Sequence, residues 1–369
     1  MPRFAWFIVL ILLLSGCGNP APETEQFQVA EALGGASDAG FARATNPREF
    51  LFPQDHGPHP EFRNEWWYLT GNLHAEDGRD FAYQATLFRI ALQPEPIDSP
   101  SAWRSNQIWM GHAALSDLQA GKHTAFERFA RQGAGLAGAE SLPLRVWLED
   151  WQLQQAGGTG VWKLQIPTEE FDLRLELKPA SPIILQGDNG LSQKSRTPGN
   201  ASYYYSIPRL TANGALSYRG ETLRVNGQSW LDREWSTSAL GPDQQGWDWF
   251  SLQLNDGRNL MFYQLRRKDG SVDPLSAGSL SDERGLRQHL RPEMIRLTPL
   301  KYWVSGNRRY PIEWRLELEG EPHPWRVSTR LADQEMRLSV TYWEGAVEVR
   351  QESSGDLLGK GYLEMTGYD

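Results

Sequence analysis

One cysteine, Cys17, stands in 369 residues, so no disulfide can close within the chain. No basic block of any length occurs and the formal net charge is -9. That argues against nucleic acid as a partner and against electrostatic docking on anionic lipid. Long amphipathic helical patterning is also missing. The best helical stretch, Asp282–Arg291, is short and interrupted by Gly285. No serine sits in a Gly-x-Ser-x-Gly context, so a hydrolase of that type is unsupported.

What is present begins at the N-terminus. Arg3 supplies a positive charge, Phe4–Leu14 is an unbroken apolar run, and Leu14-Ser-Gly-Cys17 follows with small residues before the cysteine. The run is too short for a comfortable membrane span and suits an export signal. The pattern resembles a bacterial lipobox. It predicts a lipoprotein signal peptide over 1–17, lipidation of Cys17, and a protein anchored in the bacterial cell envelope facing the periplasm. Gly18 follows instead of Asp, which favours the outer over the inner membrane. Residues 18–46, rich in Ala, Gly, Pro and Glu, read as a flexible tether, because such a segment buries too little to offset its ordering entropy.

Roughly 320 residues remain, more than one compact core usually holds, so two domains are expected. From Phe50 onward the pattern is β. Short runs rich in aromatic and branched residues recur between turn residues, as in Leu144–Trp151, Val161–Ile166, Phe171–Leu177, Leu223–Val225 and Leu338–Trp343. Thirty-five glycines and 23 prolines fit many turns. An internal echo sharpens this. Asp77-Gly-Arg-Asp-Phe-Ala-Tyr-Gln84 resembles Asp256-Gly-Arg-Asn-Leu-Met-Phe-Tyr-Gln264, and each follows a tryptophan-rich strand, Trp66–Leu73 or Trp247–Leu254. Asp-Gly between aromatic strands is a hairpin signal, so the pair points to a duplicated β-domain.

The densest chemistry lies in Trp230-Leu-Asp-Arg-Glu-Trp235 and Gly246-Trp-Asp-Trp-Phe250, where four tryptophans stand with Asp232, Glu234 and Asp248. Two readings are open. The stretch lines a ligand cavity walled by indoles with a few acids, or it is β-core with acids on the solvent face or paired to Arg89, Arg233 or Arg266. Strand alternation puts Asp232 and Glu234 on one face. It puts Trp247 and Trp249 on one face and Asp248 with Phe250 on the other unless a bulge intervenes. Tyr203 and Tyr205 likewise share a face that Tyr204 does not. Asp55-His-Gly-Pro-His59 holds two histidines, but Gly57 and Pro58 make it a turn and no thiolate supplements it, so no metal is assigned. Gly133-Ala-Gly135-Leu-Ala-Gly138 spells a dinucleotide fingerprint without the strand–turn–helix context it needs, and reads as a loop; no cofactor is assigned.

Asp55-His-Gly-Pro-His59, Glu65-Trp-Trp-Tyr68-Leu-Thr-Gly71, Ser202-Tyr-Tyr-Tyr205-Ser, Trp230–Trp235, Gly246–Phe250, Tyr342-Trp-Glu-Gly345 and Gly361-Tyr-Leu-Glu-Met-Thr-Gly-Tyr368 together resemble the AttH/CrtC family, lipocalin-like proteins that include carotenoid 1,2-hydratases (hydroxyneurosporene synthases). The resemblance runs in order from about Phe50 to the C-terminus. It implies an all-β chain of two lipocalin-like β-barrel domains in tandem, over 47–229 and 230–369, joined near 206–230. A barrel of about eight strands can hold one small apolar ligand. The leading expectation is an AttH-type envelope lipoprotein that binds or delivers an apolar or lipidic ligand with ABC-transporter components. The alternatives are a hydratase adding water to an isoprenoid or carotenoid double bond, and a structural adaptor whose sixteen tryptophans fill both barrels. Hydration of an isolated alkene needs a protonated carboxylic acid and aromatic faces beside the cation. Asp232, Glu234 and Asp248 are the candidate acids. Trp66, Tyr68, Tyr203, Tyr205, Trp230, Trp235, Trp247 and Trp249 are the candidate cavity lining. Arg233 stands where relatives often carry His, which bears on any His-assisted step.

Overall fold

Alternation of aromatic and polar residues governs the architecture, because it gives most strands two different faces to bury. The computed structural model describes residues 38–97, 99–156, 160–237 and 240–368. Residues 1–37, on which the expected lipobox and Cys17 fall, lie outside the described residues.

The first sheet opens with the hairpin β1 (Asn64–Ala75) and β2 (Asp80–Ala91), then β3 (Gln107–Asp117) and β4 (Lys122–Arg131). Short strands follow: β5 (Ala137–Ser141), β6 (Leu144–Leu148), β7 (Trp151–Gln155), β8 (Trp162–Pro167), β9 (Phe171–Pro179), β10 (Ile184–Leu185) and β11 (Leu191–Gln193). Two long strands close it, β12 (Ala201–Tyr218) and β13 (Glu221–Ser236). The second sheet holds β14 (Gln244–Leu254), β15 (Asn259–Arg267), β16 (Ala277–Ser281), β17 (Arg287–Leu290), β18 (Ile295–Ser305) and β19 (Arg308–Leu318). It ends with β20 (Trp325–Thr329), β21 (Glu335–Arg337), β22 (Thr341–Gln351) and β23 (Leu357–Met365).

The first sheet runs in the order β4-β3-β2-β1-β13-β12-β9-β8-β7-β6-β5, the second in the order β17-β16-β15-β14-β23-β22-β20-β19-β18. Nine successive positions therefore repeat the same connectivity, with β14 standing for β1 and β23 for β13. The echo in the sequence is this repeat. In both hairpins the Asp-Gly turn needs the left-handed backbone that glycine supplies, with φ +88° at Gly78 and +92° at Gly257. Arg79 and Arg258 each donate back to the turn aspartate, Asp77 or Asp256. The fold is all-β, with the first sheet a nearly closed barrel and the second a curled half-barrel.

Two expectations are corrected. The joint is not near 206–230: β12 and β13 cover that span, and β13 pairs with β1 as far as Ser236, so a boundary at 229/230 cuts through one strand. The sheets are linked over 237–243. Residues 38–46 are docked against the body, since Ala44 is fully buried, Phe41 is 8% exposed, and Thr237 donates to the Ala42 carbonyl. Asp282–Arg291 is a turn leading into β17, with Gly285 at φ +81° breaking the helical pattern.

Inside the first barrel Trp67, Trp109, Trp151, Trp162 and Trp235 pack against one another and the aliphatic strands, each at most 1% exposed. Trp314, Trp325 and Trp343 fill the half-barrel with Phe250 and Leu363. The barrel mouth is plugged by Asp55–His59. His59 stacks on Trp235 at 3.7 Å, and His56 Nδ1 lies 2.6 Å from the Tyr205 hydroxyl. Beneath this plug Glu65 accepts from Arg89, Arg233 and, at 3.0 Å, the His59 amide, all buried. The paired guanidiniums hold the Glu65 carboxyl well below the usual range although burial alone would raise it. Removing one member of such a cluster leaves buried charge uncompensated. Glu65→Gln is expected to lower the unfolding free energy by about 3–5 kcal/mol in urea titration; an unchanged midpoint would contradict this account of the plug.

Candidate functional site

The outer face of the barrel meets the outer face of the half-barrel, and the gap between them is the candidate site. In β1, Trp67 and Leu69 point into the barrel while Trp66 and Tyr68 point at the second sheet. In β13, Leu231 and Trp235 point inward while Trp230, Asp232 and Glu234 point out. Tyr204 of β12 does the same between Tyr203 and Tyr205. Across the gap, β14 offers Trp247 and Trp249 while Phe250 and Leu252 face its own core. Tyr342 of β22 and Glu364 of β23 complete the far wall, and Lys194 closes the rim. The cleft encloses about 890 Å³, including the space open to solvent at its mouth.

Two bridges form the floor. The Tyr68 hydroxyl donates to Glu344 Oε1, and Trp249 Nε1 donates to the Tyr204 hydroxyl at 3.1 Å. Tyr204 in turn donates to Asp232 Oδ2. Asp232 Oδ1 accepts from Ser206 at 2.6 Å and from Trp230 Nε1 at 2.7 Å. Among the described residues no cation pairs with Asp232, which is 3% exposed. Burial pushes its carboxyl up to about 7, although the hydrogen bonds from Ser206, Tyr204 and Trp230 favour the charged form. Glu364 accepts from Trp247 Nε1 at 2.7 Å. Burial, followed by the Asp232 and Glu234 charges, pushes it up to about 7. Burial and then the Glu364 charge hold Glu344 well above the usual range. Glu234 accepts from Ser202 and pairs with Lys194 at 3.0 Å. Burial would lower the Lys194 ammonium, but Glu234 and its neighbours raise it, so it stays charged. Its Nζ lies 4.3 Å from the Tyr263 ring centre.

Among the candidates from sequence, Asp232, Glu234, Trp66, Tyr68, Trp247 and Trp249 meet in the cleft. Tyr203, Tyr205 and Trp235 do not; they belong to the barrel interior, on the inward face of their strands. Trp230 lies behind the wall and holds Asp232. Asp248 is on the far side of β14, since no bulge separates it from Trp247. There it is 0% exposed and bound by Arg266 at 3.2 Å, Tyr368 at 2.8 Å and Gln264 at 3.3 Å, a core lock and not an acid of the cleft. Arg233 also points away from the cleft, into the barrel, so whether this position carries Arg or His does not reach the acids. Glu344, Glu364, Tyr342 and Lys194 were not among the candidates. Alternation in Tyr342-Trp-Glu and Tyr362-Leu-Glu sets each acid opposite a core residue, a signal that could have found them. Lys194 sits in a loop and carried none. Among the described residues no cluster of three or more His, Cys, Asp or Glu is arranged to hold a metal.

The AttH-like family model matches residues 43–368. Among solved structures, a protein designated AttH from Nitrosomonas europaea is 36% identical with a TM-score of 0.78, over 89% of this chain and 100% of that one. Kievitone hydratase from Nectria haematococca is 15% identical with a TM-score of 0.66, over 89% and 98%. CghA, solved with Sch210972, is 15% identical with a TM-score of 0.52, over 90% and 97%. At those lower identities the likeness is one of fold. No curated protein matches the chain.

The raised carboxyls also set a pH dependence. Asp232 and Glu364 bind protons more tightly folded than unfolded, from ordinary values of 3.8 and 4.5 up to about 7. Their stabilising contribution is full below the unfolded values and is lost as pH rises through about 7. For Asp232 alone that loss is on the order of 4 kcal/mol. Asp232→Asn is expected to flatten the fall in Tm between about pH 4 and 7 in calorimetry; a slope equal to that of the wild type would contradict the raised carboxyl.

Proposed function

The chain belongs to the AttH-like family, and on that premise we propose that it is a hydratase-type enzyme acting on an apolar, unsaturated small molecule held between the two sheets. The observation that carries this is Asp232, a buried carboxyl without a cation, facing an aromatic cleft and pushed by burial up to about 7. A group with that pKa can give a proton and take one back at working pH. Trp66, Trp247 and Trp249 offer indole faces to a developing cation. Once Asp232 has given up its proton, the donors Ser206, Tyr204 and Trp230 hold the carboxylate. The largely apolar lining fits a hydrocarbon better than a sugar or a nucleotide. That one protein of this two-sheet fold is named a hydratase supports the reading.

A second reading rests on the same apolar lining: the cleft binds and releases its guest unchanged, as a lipid-anchored envelope carrier working beside an ABC transporter. The two separate on one assay, incubation with squalene or an acyclic carotenoid and a search for a product heavier by one water. Under the enzyme reading the wild type forms that product, and Asp232→Asn lowers turnover by roughly 10²-fold or more with binding near wild type. A guest that is bound and recovered unchanged by both proteins would favour the carrier.

A further inference from the structure

The cleft has a second wall, and its chemistry mirrors the first. Glu344 of β22 and Glu364 of β23 are direct cross-strand partners, and Trp249 is the partner of Glu364 on its other side. Directly opposed side chains in an antiparallel pair stand about 5 Å apart at Cβ, and like charges there repel. Both carboxyls belong to the face buried between the sheets, and among the described residues neither is in an ion pair. Glu344 is 1% exposed and capped by Tyr68, so it is shut off from the cleft. Glu364 is the half-buried member that lines it. The charged or titratable groups around Glu364 are Asp232, Glu234 and Lys194 from the first sheet and its loop, Tyr68 from β1, and Tyr342 and Glu344 from β22. Lys194 is engaged by Glu234. Two carboxyls in this setting do not both ionise, and one proton is kept between them.

We propose that Glu364, opposite Glu344 on the second wall, is the second proton-transfer group of the cleft and works against Asp232 on the first. This rests on the hydratase reading of the site. Asp232 gives its proton to one alkene carbon, and the π electrons form the new C–H bond, leaving a tertiary cation at the other carbon. Water adds its oxygen to that cation, and the Glu364 carboxylate takes a proton from the added water. The product carries H and OH across the former double bond. Asp232 is left as carboxylate and Glu364 as carboxylic acid, and the pair resets when one proton passes between them through solvent. The substrate class is therefore a neutral, apolar alkene that fits between two walls, with proton delivery and removal on different sheets. Glu344 is a positioning residue: held by Tyr68 it keeps its own proton, so no second charge opposes the Glu364 carboxylate across the strand pair.

Glu364→Gln keeps the side-chain volume and the acceptor for Trp247, and an unchanged Tm at pH 6 checks that it folds. Two measurements decide the matter. Infrared difference spectra across about pH 5–9, with Glu364→Gln and Glu344→Gln to assign bands, are expected to show a Glu364 carboxyl losing its proton near pH 7, as its burial requires. On squalene or an acyclic carotenoid, Glu364→Gln is expected to lower kcat/KM by roughly 10²-fold and to erase the acidic limb of the pH profile, while Asp232→Asn erases the alkaline limb. A Glu364 band absent throughout that range overturns the proposal, as does a variant with wild-type rate and both limbs intact. Should the wild type hydrate none of these probes, the hydratase reading fails for them, and the infrared result alone decides whether Glu364 holds an exchangeable proton.

Discussion

A carboxylate taken out of water must find a cation, a set of donors or a proton, and each sheet meets this requirement in more than one way. Glu65 finds two guanidiniums and a backbone amide and stays ionised, which ties β1, β2 and β13 to the Asp55–His59 plug. Asp248 finds Arg266 and the Tyr368 hydroxyl and locks the C-terminus onto β14. Asp232, Glu344 and Glu364 find hydroxyl and indole donors but no cation, and burial then leaves protonation as the remaining way out. Those three stand between the sheets. The acids paired with arginine point into a core, and those without a cation stand on the faces between the sheets, Asp232 and Glu364 lining the cleft and Glu344 beneath Tyr68.

The duplication explains where that cleft comes from. Both halves repeat one strand connectivity, and each fills its own concave side with tryptophan. The convex faces are therefore left to pack on each other, and a site built there draws on both halves. Asp232 and Tyr204 come from the first, Trp247, Trp249 and Glu364 from the second. Further contacts fix the mutual placement, including Gln253 Nε2 donating to the Pro208 carbonyl at 2.7 Å and Arg330 pairing with Asp80 at 2.7 Å. Neither half alone contains the chemistry.

Much of this was legible in the sequence. Aromatic alternation gave the β class, Asp77-Gly and Asp256-Gly gave the repeated hairpins, and period-2 reasoning put Asp232 with Glu234 and separated Asp248 from its flanking indoles. What alternation does not say is which face of a strand looks into a barrel and which looks at the other sheet. Tyr203, Tyr205 and Trp235 were grouped with Trp66 and Trp247 as cavity lining for that reason, whereas they face the barrel interior and Tyr204 is the one that reaches the cleft. Pairing across the sheet is also non-local: nothing in the run from Trp343 to Gly361 announces that Glu344 and Glu364 stand opposite each other. The joint at 237–243 was missed because β13 continues through the tryptophan-rich motif that looked like the start of a second domain.

The central claim is that the guest binds between the sheets and not within either barrel. A crystal structure of the protein with bound squalene tests it most directly. The account requires the hydrocarbon between Trp66 and Trp247, with one double bond within reach of the Asp232 carboxyl. Squalene seated inside the first barrel against Tyr205 and Trp235 would contradict it.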